Sequence, residues 1–465
     1  MSREPSDSAF SEVRPDRGEL LVYVSRAAIL AVLLLPQVRR WFFAVGLQWM
    51  YLVSFAFSIS FLIVPLVRVY ALWRGILDQP AERKVHSIPT PLLGGAAVYA
   101  AFTLALLHNF HFSLHLKGVV LGATIVFLVG LVDDVSGIPA SLKLAGQVGG
   151  GLIALAFGVT LKLIPAWVAG AWIGNALITV LWFVAVTNAV QFLDGMDGLA
   201  AGLGVIAALF FSVVSLQTGQ TYLMFLSVAL LGACLGFLPY NFRPWSHAQV
   251  FLGDGGSSFI GFTLAGLAVM GEWARGNPLI ALFTPLLILG VPLFDIGFVS
   301  VHRIITGTTR SVGEWLAYVG KDHIHHRFEA LGLSKTQSVL LIHFLSITLG
   351  LSAILLKDVK IYETVLLLPR PSSFWLSWSF LKRWAVETPD PPGHALPSAR
   401  HHQTLQRSLP PGRRAREDRP RALRGGLHKL HPVLRAAHPH SYRRRLCPPR
   451  QQGLHGDRGV AQPPV

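Results

Sequence analysis

The sequence predicts an all-α fold, a polytopic integral membrane helical bundle of about 10–11 transmembrane helices, and three observations carry that prediction. Of 465 residues, 52% are hydrophobic and only 14% are charged, whereas a soluble domain carries about 25% charged residues. A spanning helix needs about 20 mostly apolar residues, or about 17 at the short end. Ten stretches meet that length: 47–67, 92–110, 116–132, 144–161, 172–187, 198–216, 222–239, 257–271, 279–301 and 339–356. Finally, no ten-residue alternation of a membrane barrel is visible, and no internal repeat suggests an alternating-access transporter.

These stretches divide the chain into an N-terminal extension at 1–46, a membrane body at 47–368 and a tail at 369–465. The apolar run 21–35 is short, carries Arg26 and lacks a small-residue cleavage pattern, so it is no cleavable signal peptide and reads as interfacial. The net charge of +16 suggests a nucleic-acid partner until it is located. Residues 391–465 hold 15 Lys/Arg against 3 Asp/Glu, a net of +12 that leaves only +4 on the preceding 390 residues. That tail also holds 12 of the 29 prolines and 8 of the 18 histidines, without sustained apolar periodicity. Such a composition cannot bury enough surface to offset its ordering entropy. We read the tail as an out-of-frame or truncated gene end preceded by a weak eleventh apolar stretch at 362–381, and expect no nucleic-acid partner. Cys234 and Cys447 form neither a disulfide framework nor a metal-ligand spacing.

Alternation of the ten spans places segments 68–91, 133–143, 188–197, 240–256 and 302–338 on one side. Eleven Lys/Arg residues lie there, against Lys117, Lys162 and Arg275 opposite, so the positive-inside rule makes this side cytoplasmic. The clustered acids fall on the same side. Asp133 and Asp134 end the third span in LVDDVSG, Asp194 and Asp197 follow the fifth in NAVQFLDGMDGLAAG, and Asp254 precedes the eighth in VFLGDGGSSFIG. Hard carboxylate oxygens suit Mg²⁺, which commonly takes one or two of them and leaves positions for water and substrate phosphate. Glycines beside a helix start let backbone N–H groups approach an anion. Diphosphate with Mg²⁺ therefore fits this chemistry. Taken singly, each motif reads as readily as a solvated helix cap or a turn; three on one face argue for a site.

The segment KDHIHHRFEALGLS supplies His323, His325, His326 and Arg327. Their chemistry suits phosphate oxygens and general acid work, with zinc ligation or a surface patch as the other readings. The first loop adds Arg83, Lys84 and His86, which alone form a basic juxtamembrane segment attracted to anionic headgroups. Asp295, inside the ninth span, is a functional or helix-tethering acid with Arg303 as a distant partner.

In this order, RKVHSIPTPLLGG, LVDDVSG, NAVQFLDGMDGLAAG, VFLGDGGSSFIG and DHIHHR resemble the polyprenyl-phosphate N-acetylhexosamine-1-phosphate transferases, over roughly residues 47–356. The H-x-H-H-R form and the RKVH…PTP loop look most like the bacterial undecaprenyl-phosphate GlcNAc-1-phosphate branch. The resemblance implies an Mg²⁺-dependent (or Mn²⁺-dependent) transfer of N-acetylhexosamine-1-phosphate, GlcNAc-1-phosphate in this branch, from a UDP-sugar to undecaprenyl phosphate. UMP would leave, and the lipid-diphosphate sugar would start cell-envelope polysaccharide synthesis. It implies a multi-pass protein of the bacterial inner membrane, and a homodimer is compatible with it.

By motif, Asp133, Asp134 and Asp254 would be catalytic, with Asp133 deprotonating or orienting the lipid phosphate and Asp254 and Asp134 holding the metal. Asp194, Asp197, Asn188, Gln191, Arg83, Lys84, His86, His323, His325, His326 and Arg327 would bind substrate. Direct attack and an aspartyl-phosphate intermediate both remain open. One departure stands out: Gln191 occupies a position where the family has Asn. A transporter or flippase of an anionic metabolite is the rival reading. It expects carboxylates near the membrane midplane and broken helices in symmetric positions.

Overall fold

Each of the ten apolar stretches coincides with helix in the computed structural model, which describes residues 17–79, 88–109, 113–273, 278–309, 320 and 322–356. In chain order these are α1 (Arg17–Leu34), α2 (Pro36–Ala44), α3 (Gln48–Arg74), α4 (Gly94–Asn109), α5 (Leu114–Ser136), α6 (Ala140–Ala156) and α7 (Ala171–Phe192). There follow α8 (Leu199–Gln217), α9 (Thr221–Asn241), α10 (Gly253–Met270), α11 (Pro278–Ile288), α12 (Gly290–Ile305), α13 (Ile324–Ala330) and α14 (Lys335–Leu356). Among the described residues, six helices are long and apolar enough to span a bilayer, and eight spans result if each of two bent pairs counts as one. The protein is thus a multi-pass helical membrane protein. The weak eleventh stretch and the tail lie outside the described residues.

Two departures from the hydropathy reading have local causes. The ninth stretch is broken: its halves, within α11 and α12, meet at 83°. Pro292 lacks an N–H and its ring crowds the carbonyl of Ile288, which removes a helix bond at the break and favours ending one helix at Ile288. The region read as an N-terminal extension also packs into the bundle. Tyr51 Oη donates to the Leu33 carbonyl at 2.9 Å, while Arg26 covers the Phe61 ring at 4.0 Å and donates to Tyr240 Oη. Pro36, at the first position of α2, sets the 63° turn between α1 and α2.

α10 is the central helix, buried at nearly every position from Gly253 to Ala268. It cannot be amphipathic, because protein surrounds it. Phe259 meets Tyr99 and Phe102 with ring centroids 5.3 Å away, and Phe262 stacks on Phe183 at 4.5 Å. Small residues let backbones touch where hydrocarbon supplies no hydrophobic drive for helices to associate. A Cβ on Gly95 of α4 would lie 2.3 Å from Gly256 Cα of α10.

A short ladder aligns the start of α10 with α4. Strand β1 (Leu77–Asp78) pairs antiparallel with β2 (Thr90–Pro91). The Phe251 amide donates to the Pro91 carbonyl at 2.8 Å, and the Gly94 and Gly95 amides donate to the carbonyls of Phe251 and Leu252 at 2.9 and 2.8 Å. The segment before Asp254 is therefore fixed by backbone bonds, given and received, to residues 91–95. We predict that Gly95→Ala, which meets backbone rather than a yielding side chain, costs at least the roughly 1–3 kcal/mol typical of overpacking. Thermal unfolding in detergent should show it as a lowered midpoint, and an unchanged midpoint would contradict the close approach.

Candidate active site at the carboxylate end of the bundle

A cavity of about 910 Å³ opens at one end of the bundle. All five segments that the hydropathy count assigned to one side contribute to its wall, through Asp78, Asp133 and Asp134, Asp194 to Asp197, Arg243 to His247 with Asp254, and His326 with Lys335. The acids that are scattered in sequence thus converge because they end or begin neighbouring helices.

Asp134 makes the central joint. Its Oδ1 and Oδ2 accept the Asp254 and Gly255 amides at 2.7 and 3.1 Å, so the last turn of α5 supplies the cap for the first turn of α10. Those amides are among the donors that a helix start leaves without intrahelical acceptors. Asp133 lies beside it, accepting the Ile138 amide at 2.8 Å through Oδ1. Lys143, from the first turn of α6, reaches both Asp133 Oδ2 and Asp254 Oδ2 at 2.5 Å. Gln191 Nε2 donates to the same Asp254 Oδ2 at 2.7 Å. One lysine therefore bridges two carboxylates, and the amide that departs from the family pattern reaches one of them directly.

The DGMDG turn, between α7 and α8, forms the next part of the wall. Asp194 lies there among acids: desolvation, then the charges of Asp254, Asp134, Asp197 and Asp78, hold its carboxyl well above the ordinary carboxylate range. Asp197 Oδ2 accepts the Ala248 amide at 3.1 Å, while Asn241 accepts the Gly198 amide at 2.7 Å and donates to the Val250 carbonyl at 3.0 Å. These bonds tie the turn to the loop that leads into α10.

The histidine segment divides its tasks. His326 lines the cavity. His325 is buried against the turn, so close that a Cβ on Gly195 would lie 2.6 Å from its Nε2. Burial, then the neighbouring His326 and His323, push the His325 pKa well below the ordinary imidazole value, and its Nδ1 has no hydrogen-bond partner among the described residues. His323 does not line the cavity; its Nδ1 lies 2.6 Å from Asp295 Oδ2. Arg327 donates to the Asp322 carbonyl at 2.7 Å and lies over the Phe298 ring.

Other expectations land elsewhere. Asn188 is turned toward α6, donating to Gln147 Oε1 at 2.6 Å and the Val184 carbonyl at 2.8 Å, and it is not part of the cavity wall. Arg303 is not the partner of Asp295. It forks onto Asp322 at 2.6 and 2.8 Å, because eight residues of helix separate it from Asp295 by about 12 Å of rise. Arg83, Lys84 and His86 lie outside the described residues. Lys143 is the main residue that the motifs missed. Its signal was a cation opening the span directly after the paired aspartates, on the same side.

The site thus gathers carboxylates, one shared lysine and a glycine-rich helix start around an open cavity at one end of a membrane bundle. Residues 116–272 match glycosyl transferase family 4. Over 324 residues, the chain is 34% identical to a Bacillus subtilis protein named a probable undecaprenyl-phosphate N-acetylglucosaminyl 1-phosphate transferase, covering 67% of this chain and 87% of the relative. It is 34% identical to a decaprenyl-phosphate N-acetylglucosaminephosphotransferase of Mycolicibacterium smegmatis, over 60% of this chain and 74% of that one. It is 28% identical to an undecaprenyl-phosphate α-N-acetylglucosaminyl 1-phosphate transferase of Escherichia coli, over 58% and 73%. The chain belongs to the polyprenyl-phosphate N-acetylglucosaminyl-1-phosphate transferase family.

Two predictions follow from the geometry. Lys143→Met leaves Asp133 and Asp254 facing each other without their shared cation, and should lower turnover about 10²–10³-fold, as loss of one preorganised charged group does. Turnover within twofold of wild type would remove Lys143 from the site. Gln191→Asn should retain or raise activity, since both amides can donate to a carboxylate; complete loss would show that the longer side chain is required to reach Asp254.

Proposed function

We propose that the protein transfers GlcNAc-1-phosphate from UDP-GlcNAc to undecaprenyl phosphate on the cytoplasmic side of the bacterial inner membrane, making the lipid that starts a cell-envelope polysaccharide. A lipid phosphate oxygen bonds to the β-phosphorus, the bond from that phosphorus to the oxygen bridging the two phosphates breaks, and UMP carries that oxygen away. The observation that carries this reading is the convergence of Asp133, Asp134, Asp194, Asp197 and Asp254 on one cavity in a chain of this family. The transporter reading fares worse, because these five acids gather at helix ends at one end of the bundle rather than near its middle.

Phosphoryl transfer leaves a protein mainly positioning and charge stabilisation to supply. Asp133, held by Lys143, orients the lipid phosphate at the cavity wall. Its Oδ1 accepts the Ile138 amide and its Oδ2 meets the Lys143 ammonium, which fixes the direction of the carboxylate. Asp134 positions Asp254 through the two amides, and Asp194, Asp197 and His326 face the nucleotide-sugar. Among the described residues, Asp78 and the five acids above line the cavity with Arg243 and Lys335, and Lys143 lies just behind, an acidic excess that supports a further cation in the reaction. An anionic diphosphate would be repelled by that excess.

Among the described residues no three His, Cys, Asp or Glu side chains form a closed metal group. That donor set suits Mg²⁺ or Mn²⁺ held by one or two carboxylates together with water and substrate oxygens, rather than zinc. Asp254, whose side chain is 33% exposed, and the neighbouring Asp194 would hold it. Asp134, also expected as a ligand, accepts the Asp254 and Gly255 amides with one lone pair on each oxygen and so aims Asp254 as well. When bound, such a cation neutralises charge on the diphosphate and the departing UMP.

The test supplies purified protein with undecaprenyl phosphate, Mg²⁺ and a panel of UDP-hexosamines, and measures UMP. Release should be greatest with UDP-GlcNAc, cease on chelation and fall to background in Asp254→Ala. No UMP from any donor, with wild type and variant alike, would reject the reading.

A further inference from the structure

Asp295 is an acid for which neither the cavity wall nor the transfer step has a use. It sits in α12, the second half of the broken span, and is 2% exposed. Burying a carboxylate there is costly unless its oxygens are satisfied, and both are. Oδ2 lies 2.6 Å from His323 Nδ1, and Oδ1 accepts the Ile324 amide at 2.7 Å.

The two bonds do different things. His323 is the N-cap residue of α13, yet its own side chain makes no capping bond, so Asp295 supplies the missing acceptor from another helix. An ionised carboxylate only accepts, so the facing Nδ1 must carry the hydrogen, and in the neutral ring Nε2 is then the acceptor. From the same helix, Arg303 forks onto Asp322, the residue before His323. Residues 322 to 324 are thus gripped from α12 by an acid and a base. Beyond the grip, α13 sets His325 against Gly195 of the DGMDG turn and presents His326 to the cavity.

We propose that Asp295 is a positioning residue for the transfer reaction: it selects the Nδ1–H tautomer of His323 and seats α13, so that His326 faces the cavity. The inference rests on the function proposed above. It assigns a task to the carboxylate in the broken span, and it makes the 83° bend part of how the histidine segment is held.

Asp295→Asn separates this from a merely structural role. Its amide oxygen can still accept the Ile324 amide, but its NH₂ then faces His323 Nδ1 and forces the hydrogen onto Nε2. In lipid nanodiscs, the variant should melt near wild type, while kcat for UMP release falls about 10–100-fold, the usual cost of losing a partner that orients a histidine. KM for undecaprenyl phosphate should stay unchanged. ¹⁵N spectra of histidine-labelled protein, with His323 assigned by its loss in His323→Gln, should show its two ring nitrogens exchanging character.

Wild-type kcat in Asp295→Asn, or an unchanged tautomer, would overturn the inference. So would a loss of activity fully accounted for by a smaller folded fraction. If Asp295→Asn does not fold, His323→Gln, which leaves the Ile324 cap intact, must show the loss of kcat, and wild-type turnover there counts against the proposal. Failure of the transfer reading itself is distinguishable: wild-type protein would release no UMP, while the spectra would still report the Asp295–His323 bond.

Discussion

The architecture depends on a helix start that is buried and must still find acceptors. α10 runs through the middle of the bundle, and the first N–H groups of any helix lack partners within it. Water cannot serve an enclosed helix start freely, so Asp134 does, from the end of α5. That joint fixes where Asp254 points. Once Asp254 is fixed beside Asp133, two carboxylates face each other at the cavity wall, and Lys143 and Gln191 offset the repulsion. The site's geometry is thus the consequence of satisfying one helix terminus and then balancing the charge that does so.

Much of this was legible in the sequence, and for identifiable reasons. Spanning helices announce themselves by length and apolarity, and their alternation places loops on sides without any knowledge of packing. That is why 68–91, 133–143, 188–197, 240–256 and 302–338 all reach the cavity wall. The acids were conspicuous because the chain has so few charges. Their division of tasks was not legible. Asp133 and Asp134 are adjacent and chemically identical, yet one meets a lysine and the other caps a helix. That difference arises from the direction of each side chain at the end of α5, which sequence spacing alone does not reveal.

Packing hid the remainder. Asn188 belongs to a motif with Gln191 and Asp194, but it lies three residues before Gln191 on α7, where its amide meets Gln147, a residue only 4% exposed. The apolar run 21–35 looked separable because the one charge within it, Arg26, seemed a reason to keep it at the surface. The ring of Phe61 and the hydroxyl of Tyr240 receive that guanidinium instead. Cation–π contact gives a cation a partner that no charge pattern displays.

The broken ninth span shows most clearly how a local rule and a distant partner combine. Pro292 could be read as a break, but what the break accomplishes depends on residues thirty positions on. Asp295 and Arg303 look like an acid and a base that should find each other within one helix, and their separation along it prevents that. Each takes a partner at the start of α13 instead. A seven-residue helix such as α13 cannot persist on its own, since isolated helices shorter than about 12–15 residues are marginal in water. Its place beside the DGMDG turn is therefore set by α12, through bonds to residues 322, 323 and 324, rather than by its own propensity. An acid and a base on one helix, too far apart to pair with each other, are in the folded chain what joins that helix to the wall of the site.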